Sequence, residues 1–195
     1  IVKYGFQEDN DAVITKIGDG GFSVKFSEKD LGEFETQLVG DHNLLNAGAV
    51  VAMCHKLNLD MEKVRGALKS FEGTSRRFEI IGERNGALLI DDYAHHPEEI
   101  KATLKAAREK YSEKNIIAVF HPHSYSRTEA LLQDFAQSFD AANQVIVLDI
   151  YGSAREATGN VSSKDLVDLI KRCDPGKAER GPTIDEAVTY RGDRI

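Results

Sequence analysis

The residues of this chain that could do chemistry are concentrated in two short segments. The first, Asp91–Pro97, contains two aspartates and two histidines, and the second, His121–Thr128, contains two more histidines and an arginine. Imidazole and carboxylate groups are common ligands of divalent cations, and a guanidinium binds carboxylates or phosphates. These residue types therefore suit either a metal site or a site for anionic ligands.

The elements around the two segments predict how they are positioned. An apolar run precedes each segment, Ala87–Ile90 and Ile116–Phe120, and a helical pattern follows each. This order is typical of a βαβ unit, whose two strands belong to one parallel sheet. Open parallel sheets bind ligands at the carboxyl ends of their strands. We therefore expect the two segments to meet at that edge.

Each motif also has a purely structural interpretation. A metal could be held by members of a set of six residues: Asp91, Asp92, His95, His96, His121 and His123. The spacing alone is a weak indication, because aspartate and histidine also cap helices and prolines fix turns. Arg127 lies near a predicted helix start, where it could bind an anion or be an ordinary surface arginine.

Two further candidates lie earlier in the chain. Asn43 and Asn46 are three residues apart on one face of a predicted helix. An amide offers the donor and acceptor that adenine recognition needs, although asparagine near a helix start is more often a cap. Arg76 and Arg77 lie in a predicted linker, where they could reach a nucleotide or simply be solvated.

Composition narrows the function classes. The 195 residues carry a formal charge of −7, with 32 acidic and 25 basic residues, which argues against a nucleic-acid-binding surface. No apolar run approaches the roughly 18 to 20 residues that span a bilayer. Cys54 and Cys173 show no metal spacing, which favours a reducing cytoplasm. The chain begins at Ile1 without an initiator methionine, so we expect it to be part of a longer protein.

The periodicity changes near residue 76. Before it, we predict a hairpin and a mixture of further strands and helices: strands Ile1–Phe6, Ala12–Ile17, Phe22–Phe26 and Gln37–Gly40, a helix His42–Leu57 capped by Asp41, and a helix from the Asp60 cap to Leu68. After it, strands Phe78–Ile81, Ala87–Ile90, Ile116–Phe120 and Val145–Ile150 alternate with helices Glu98–Lys110, Thr128–Phe139 and Lys164–Arg172, and Thr183–Tyr190 could form one more. The second part therefore predicts an α/β fold with a Rossmann-like, mostly parallel sheet and flanking helices.

Five motifs in order resemble the Mur ligase family: Gly40–Asn46, Phe71–Gly73 with Arg76–Glu79, Asp91–Pro97, His121–Thr128 and Asp149–Tyr151. The resemblance covers about residues 37 to 165. It implies a bacterial cytoplasmic enzyme with three domains. Residues 1–76 would be the carboxyl-terminal remnant of the central ATP-binding domain, a strand and helix tail, and residues 77–195 the amino-acid-binding, Rossmann-like domain.

The same resemblance implies an ADP-forming amide ligase of peptidoglycan synthesis. It would use ATP and Mg²⁺ to join L-alanine to UDP-N-acetylmuramate through an acyl phosphate. Nucleotide contacts are implied for four residues: Asn43, Arg77, Asp92 and Tyr93. His95 and Arg127 are the implied catalytic residues, His95 on the amino-acid side of the cleft and Arg127 holding the L-alanine carboxylate or the reacting phosphoryl group.

The chain departs from the family pattern in three respects. Ser124 stands where the family usually has an arginine, Gly192–Asp193 only hints at the expected last strand, and no P-loop is present. Because the Mg²⁺ ligands are also expected mostly outside this chain, we expect it to be inactive alone. In the full-length protein, Arg127→Ala should lower the rate far more than Arg108→Ala, since Arg108 is predicted to be exposed.

Three other functions compete with this one. A related ligase adds a recycled murein tripeptide instead of L-alanine. A metal-dependent phosphohydrolase would use the histidine cluster and would retain bound metal. A non-catalytic adenine-nucleotide module would bind nucleotide tightly by itself.

Overall fold

A computed structural model describes residues 1–18, 20–152 and 158–181. The chain divides into two units, Ile1–Glu79 and Ile80–Ile195. Their boundary lies close to the change of periodicity near residue 76. Whether the first unit is the end of a larger ATP-binding domain stays a prediction.

The first unit is a four-stranded sheet with two helices. Its strands are β1 (Tyr4–Gly5), β2 (Ala12–Ile17), β3 (Gly21–Phe26) and β4 (Lys29–Glu35), in the order β1-β2-β3-β4. The first pair is parallel and the other two are antiparallel. Its helices are α1 (Asp41–Lys56) and α2 (Met61–Ser70). The predicted β2–β3 hairpin is confirmed, as is the cap of α2, where the Asp60 carboxylate accepts the N–H of Glu62 at 2.9 Å.

Alternate residues of the sheet and one face of α1 form the core of this unit. Ile14, Phe22 and Val24 point from the strands into this core, and Val51 packs on them from α1. Gly48 lets the helix approach closely, because a methyl group there would overlap Cδ1 and Cγ1 of Ile14. Apolar residues that repeat every two positions in the strands and every three or four positions in the helix thus place one apolar face of each element in the core.

Three predictions for the first unit are wrong. Gln37–Gly40 is not a strand, and the strand before α1 is instead Lys29–Glu35. The run Ile1–Phe6 is extended only at Tyr4–Gly5. Asp41 is not the cap of α1 but lies in its first turn, after a Gly40 cap with φ 97°, and its carboxylate pairs with Lys16 at 3.1 Å.

A two-stranded hairpin of β5 (Glu79–Arg84) and β6 (Ala87–Asp91) starts at the boundary, and all of it except Glu79 belongs to the second unit. Asn85 and Gly86 connect them, both with positive φ, 53° and 79°. Positive φ at both central residues is the requirement of a type I′ turn, whose twist matches that of the strands. Within the described chain β6 pairs with β5 and not with β7, so the expected β6–α3–β7 unit of one sheet is wrong.

A parallel sheet with helices packed against it forms the rest of this unit. Its strands are β7 (Ile117–Phe120), β8 (Gln144–Val147) and β9 (Ala178–Arg180), in that order. The helices are α3 (Pro97–Lys110), α4 (Tyr125–Ala130), α5 (Leu132–Ala136) and α6 (Ser163–Cys173). Residues of both faces of β8 are buried, which is typical of the central strand of a parallel sheet. The α/β fold with a parallel sheet and flanking helices is therefore confirmed.

Local signals explain where these helices begin. Pro97 occupies the first turn of α3, as predicted. Ser162 caps α6 and exchanges hydrogen bonds with Asp165, and the side-chain bond from Ser162 followed by its backbone bond lowers the pKa of Asp165. The predicted helix Thr128–Phe139 is two short helices, because Ser124 caps an earlier start and Leu131 leaves the helical conformation at φ −113°.

Some strands and helices of the second unit differ from the prediction, and others were predicted in residues that the structure does not describe. β8 ends at Val147 rather than Ile150, and β9 was not predicted. The predicted helix Thr183–Tyr190 and the Gly192–Asp193 hint lie outside the described residues. Among the helices that the structure describes, none is long and apolar enough to cross a membrane.

Candidate functional site

The segment between β6 and α3 is held in a tight turn by Asp92. Its Oδ1 accepts the backbone N–H of Ala94 at 2.8 Å. Aspartate readily makes such a turn with the backbone two residues on. Ala94 in turn packs against the core of the second unit, which includes Phe120 at the end of β7. The turn therefore fixes the segment to the same core as β7.

His95 is held on one side of its ring. Its Nδ1 lies 2.9 Å from the backbone carbonyl oxygen of Tyr93 and 3.5 Å from Oε2 of Glu99. The rings of Tyr93 and His95 meet edge to face, with centroids 5.1 Å apart. About a third of the His95 side chain is exposed (35%), and Tyr93 is 49% exposed. The backbone of the turn thus holds both rings in place while part of each ring stays accessible to a ligand.

His96 has a different role from its neighbour. It caps α3, with its Nδ1 accepting the N–H of Glu98 at 3.4 Å, and Glu99 completes a capping box. The exposed Glu98 carboxylate accepts a hydrogen bond from Lys101 at 2.8 Å, and this hydrogen bond lowers the pKa of Glu98. The structural interpretation of this histidine is thus confirmed, since it stabilises the helix start.

The segment after β7 is joined to the segment after β8. The N–H of Tyr151 donates to Pro122 at 2.8 Å, and the N–H of Ser124 donates to Tyr151 at 2.9 Å. The rings of His121, His123 and Tyr151 contact one another, with centroids 5.1 to 5.8 Å apart. These rings lie at the carboxyl ends of two neighbouring parallel strands, where ligands of such sheets bind.

Arg127 is half-buried in α4, three residues after the cap Ser124. Oγ of Ser124 accepts the Arg127 N–H at 3.4 Å and lies 3.0 Å from Oγ of Ser126. Ser124 has a φ of 73°, a conformation that side-chain-bearing residues rarely adopt. Strain of this kind is concentrated at functional sites. The cap of α4 is thus a small residue in a strained conformation.

Asp149, two residues after β8, forms an ion pair with Arg180, the last residue of β9. Nε and Nη2 of Arg180 donate to the same oxygen, Oδ1 of Asp149, at 2.9 and 2.7 Å. Both side chains are about half exposed, so the pair contributes at most about 1 kcal/mol to stability. The ion pair orients the carboxylate of Asp149, which belongs to the last of the five sequence motifs, Asp149–Tyr151.

Asn43 and Arg77 belong to the first unit. Nδ2 of Asn43 donates to the carbonyl of Val39 at 2.8 Å, which holds the loop before α1. Within the described part of the chain, this contact leaves the Asn43 amide oxygen and its second N–H for a ligand. Arg77 is exposed and lies between Arg76 and Phe78, both with positive φ (60° and 52°). The sequence correctly marked this stretch as a conformational break.

The metal-site interpretation is not supported. The described residues bring no group of three histidine, cysteine, aspartate or glutamate side chains into an arrangement that could hold a metal ion. His95 and His96 are used instead in a turn and a helix cap.

Sequence reasoning missed one residue of this site. Glu99 was predicted only as part of a helix, yet its carboxylate contacts both histidines of the preceding turn. The signal was present, since a glutamate three residues after a helix cap is typical of a capping box. A histidine in the cap position concealed it, because serine, threonine, aspartate and asparagine are the usual caps.

Comparison with known proteins agrees with this geometry. The family model described as "Mur ligase, glutamate ligase domain" matches residues 76–193. UDP-N-acetylmuramate--L-alanine ligase from Caldanaerobacter subterraneus subsp. tengcongensis is 50% identical over 175 residues, which are 87% of this chain and 38% of that protein. The protein of the same name from Desulfitobacterium hafniense is 46% identical over 88% of this chain and 39% of its own length. The chain thus spans well under half of these relatives.

Solved structures show the same fold. A UDP-N-acetylmuramate-alanine ligase from Thermotoga maritima superimposes with a TM-score of 0.77 and 26% identity, over 96% of this chain and 41% of that one. A murein peptide ligase from Psychrobacter arcticus gives 0.71 over 99% of this chain and 40% of its own, and its 24% identity supports the fold alone. With the family model matching most of its length, the chain belongs to the Mur ligase family.

Proposed function

We propose that this chain is the carboxyl-terminal part of an ADP-forming ligase that joins L-alanine to UDP-N-acetylmuramate in the bacterial cytoplasm. The observation that carries the proposal is the 46 to 50% identity to relatives named for that reaction, over 86 to 88% of this chain. The longer protein, which we call the parent, would supply the P-loop, the Mg²⁺ ligands and the UDP-sugar domain. Its remaining length corresponds to the part of the relatives that this chain does not span.

The chemistry of this reaction defines what the chain must do. ATP supplies a phosphoryl group that makes the muramate carboxylate an acyl phosphate. The amine of L-alanine then attacks the carbonyl carbon, a C–N bond forms, the C–O bond to phosphate breaks, and phosphate leaves with the bonding electrons. The ammonium form of L-alanine must lose a proton before attack, and the nitrogen loses another as the amide forms. The chain must therefore bind the alanine carboxylate and offer a proton acceptor.

Two residues suit these tasks. Arg127 is half-buried and carries a planar guanidinium, which binds a carboxylate through two parallel hydrogen bonds. His95 has Nδ1 occupied by the Tyr93 carbonyl, which leaves Nε2 as the proton acceptor. We assign Arg127 to the alanine carboxylate and His95 to the proton of the amine.

Contacts with ATP are proposed for four residues: Asn43, Arg77, Asp92 and Tyr93. In the second unit, the Asp92 turn presents a carboxylate suited to two ribose hydroxyls, and the exposed Tyr93 ring offers an apolar face. In the first unit, the remaining donor and acceptor of the Asn43 amide suit the edge of adenine. The exposed Arg77 guanidinium suits a phosphate.

Phosphate release measures the acceptor directly. The parent is incubated with ATP, Mg²⁺ and UDP-N-acetylmuramate, and with either L-alanine or the murein tripeptide. We expect release with L-alanine only. Release only with the tripeptide would assign the parent to murein recycling instead. Release with neither, from a folded parent, would contradict the ligase assignment.

A further inference from the structure

One oxygen of Glu99 contacts three polar groups of the turn before α3. Oε2 accepts the backbone N–H of His95 at 3.0 Å and that of His96 at 3.2 Å, and it lies 3.5 Å from Nδ1 of His95. The first two bonds cap the helix. The third contact is not needed for a cap, and it brings a negative charge to one nitrogen of the imidazole.

The partners of His95 select one tautomer of its ring. A backbone carbonyl can only accept a hydrogen bond, so the 2.9 Å contact with the Tyr93 carbonyl favours a proton on Nδ1. The carboxylate of Glu99 favours the same proton because it is an acceptor with a negative charge. In the neutral ring the lone pair is then on Nε2, which has no hydrogen-bond partner among the described residues.

The neighbouring histidine has the opposite requirement. Nδ1 of His96 accepts the N–H of Glu98, so its proton, in the neutral ring, is on Nε2. Two adjacent histidines therefore differ in tautomer because their partners differ. His96 provides an internal reference for any measurement on His95.

We propose that Glu99 is a positioning residue, which holds His95 with its proton on Nδ1 and its lone pair on Nε2. This inference rests on the proposed function, in which Nε2 of His95 accepts the proton of the attacking amine. In this assignment Glu99 acts on the His95 ring and not on the substrate. It acts by fixing the orientation of the ring, together with the edge-to-face contact of Tyr93, whose centroid lies 5.1 Å away. Partners of this kind commonly set the tautomer of a functional histidine.

Glu99→Gln separates positioning from capping. Glutamine is an accepted third residue of a capping box, so its amide oxygen can still accept the two backbone N–H groups. It lacks the charge that favours the proton on Nδ1. Glu98→Gln is the matched control, because Glu98 is adjacent and exposed, and its carboxylate accepts a hydrogen bond from Lys101 rather than from the turn that holds His95.

The first measurement is the long-range ¹H–¹⁵N NMR spectrum of the histidine rings in this chain. We expect the Nδ1–H pattern for His95 and the Nε2–H pattern for His96. In Glu99→Gln, His95 should shift toward a mixture of tautomers while His96 and the melting temperature stay unchanged. An unaltered His95 pattern in Glu99→Gln, or an Nε2–H pattern in the unsubstituted chain, would overturn the inference.

The second measurement is the steady-state rate of the parent. Glu99→Gln should lower kcat by on the order of tenfold with the KM for ATP unchanged, as expected for the loss of an orienting partner. Glu98→Gln should leave both unchanged. A normal kcat with a shifted tautomer would overturn the link to catalysis. The NMR result does not depend on turnover, so an inactive parent would contradict the proposed function and leave the positioning of His95 to be decided by the spectrum.

Discussion

Arg108 is predicted to be one of the main stabilising side chains of the second unit. It was expected to be an exposed arginine suitable as a control, and this expectation is wrong. Nε and Nη2 donate to the carbonyl of Ala141 at 3.2 and 3.1 Å, and Nη1 donates to the carbonyls of Ser112 and Lys114 at 3.1 and 2.9 Å. Nη2 also donates to the side chain of Asn143. The guanidinium thus joins the end of α3 to the loop before β8.

The cost of Arg108→Ala follows from these contacts. The acceptors on Ser112, Lys114 and Asn143 are exposed and can bond water instead. The two bonds to Ala141 are partly buried, and each is worth about 1 kcal/mol. The free energy of unfolding of the second unit should therefore fall by about 2 kcal/mol.

Native-state hydrogen exchange measures this loss without assuming that both units unfold together. The amides of Val145 and Leu148 are suitable probes, since they are hydrogen-bonded within the parallel sheet region at 2.8 Å. Arg172→Ala is the control, because Arg172 is an exposed arginine in the last turn of α6, and its replacement should change the free energy by less than about 0.5 kcal/mol. Equal effects of the two substitutions would refute the structural role of Arg108.

Three further predictions concern the fold and the site. Gly48→Ala should destabilise the first unit by about 1 to 3 kcal/mol through overpacking. Gly66→Ala is the control, because a methyl group added there meets nothing within 4 Å, and it should be neutral or stabilise the unit by up to about 1 kcal/mol. Hydrogen exchange of the β2 and β3 amides measures both changes in free energy, and changes of the same sign would contradict the packing. Because the pKa of Asp165 is lowered in the folded protein, its ionised form stabilises α6 above the usual pKa near 3.8, and this stabilisation is lost as the pH falls through the lower folded value. Asp165→Asn should remove this pH dependence of stability. A carboxyl NMR titration that gave Asp165 a pKa at or above 3.8 would contradict the prediction. In the parent, Arg127→Ala should lower kcat/KM for L-alanine by about a hundredfold, roughly 2.7 kcal/mol, while Arg172→Ala leaves it unchanged; similar rates for the two would remove Arg127 from the site.

Features set by neighbouring residues were predictable from the sequence. The β2–β3 hairpin, the Asp60 cap and the Pro97 start each depend on residues within one turn or one strand pair. β4 was missed because its alternation is irregular. Its register with β3 shifts between Ser23 and Lys25, so that Leu31 and Phe34, three residues apart, are both buried.

Features set by distant partners could not be predicted. The acceptor of Arg108 on Ala141 lies 33 residues away, and no local pattern reveals it. The pairing of β6 was predicted incorrectly because an apolar run does not specify its partner strand. Asn85–Gly86 is the local signal for a hairpin, and it was present in the sequence. The candidate site residues were proposed from their types and positions in the sequence, whereas which nitrogen of His95 is occupied depends on the conformation of the turn.

The connections between strands also have a consequence for the speed of folding. In the first unit, β2, β3 and β4 pair in sequence order, and partners such as Ile17 and Gly21 are close along the chain. In the second unit, Ile117 pairs with Gln144 and Val145 pairs with Ala178, across 27 and 33 residues. Closing such long crossovers costs chain entropy before any contact is gained, so parallel sheets form slowly. During synthesis, the antiparallel strands β2, β3 and β4 would thus pair before the parallel strands β7, β8 and β9 do.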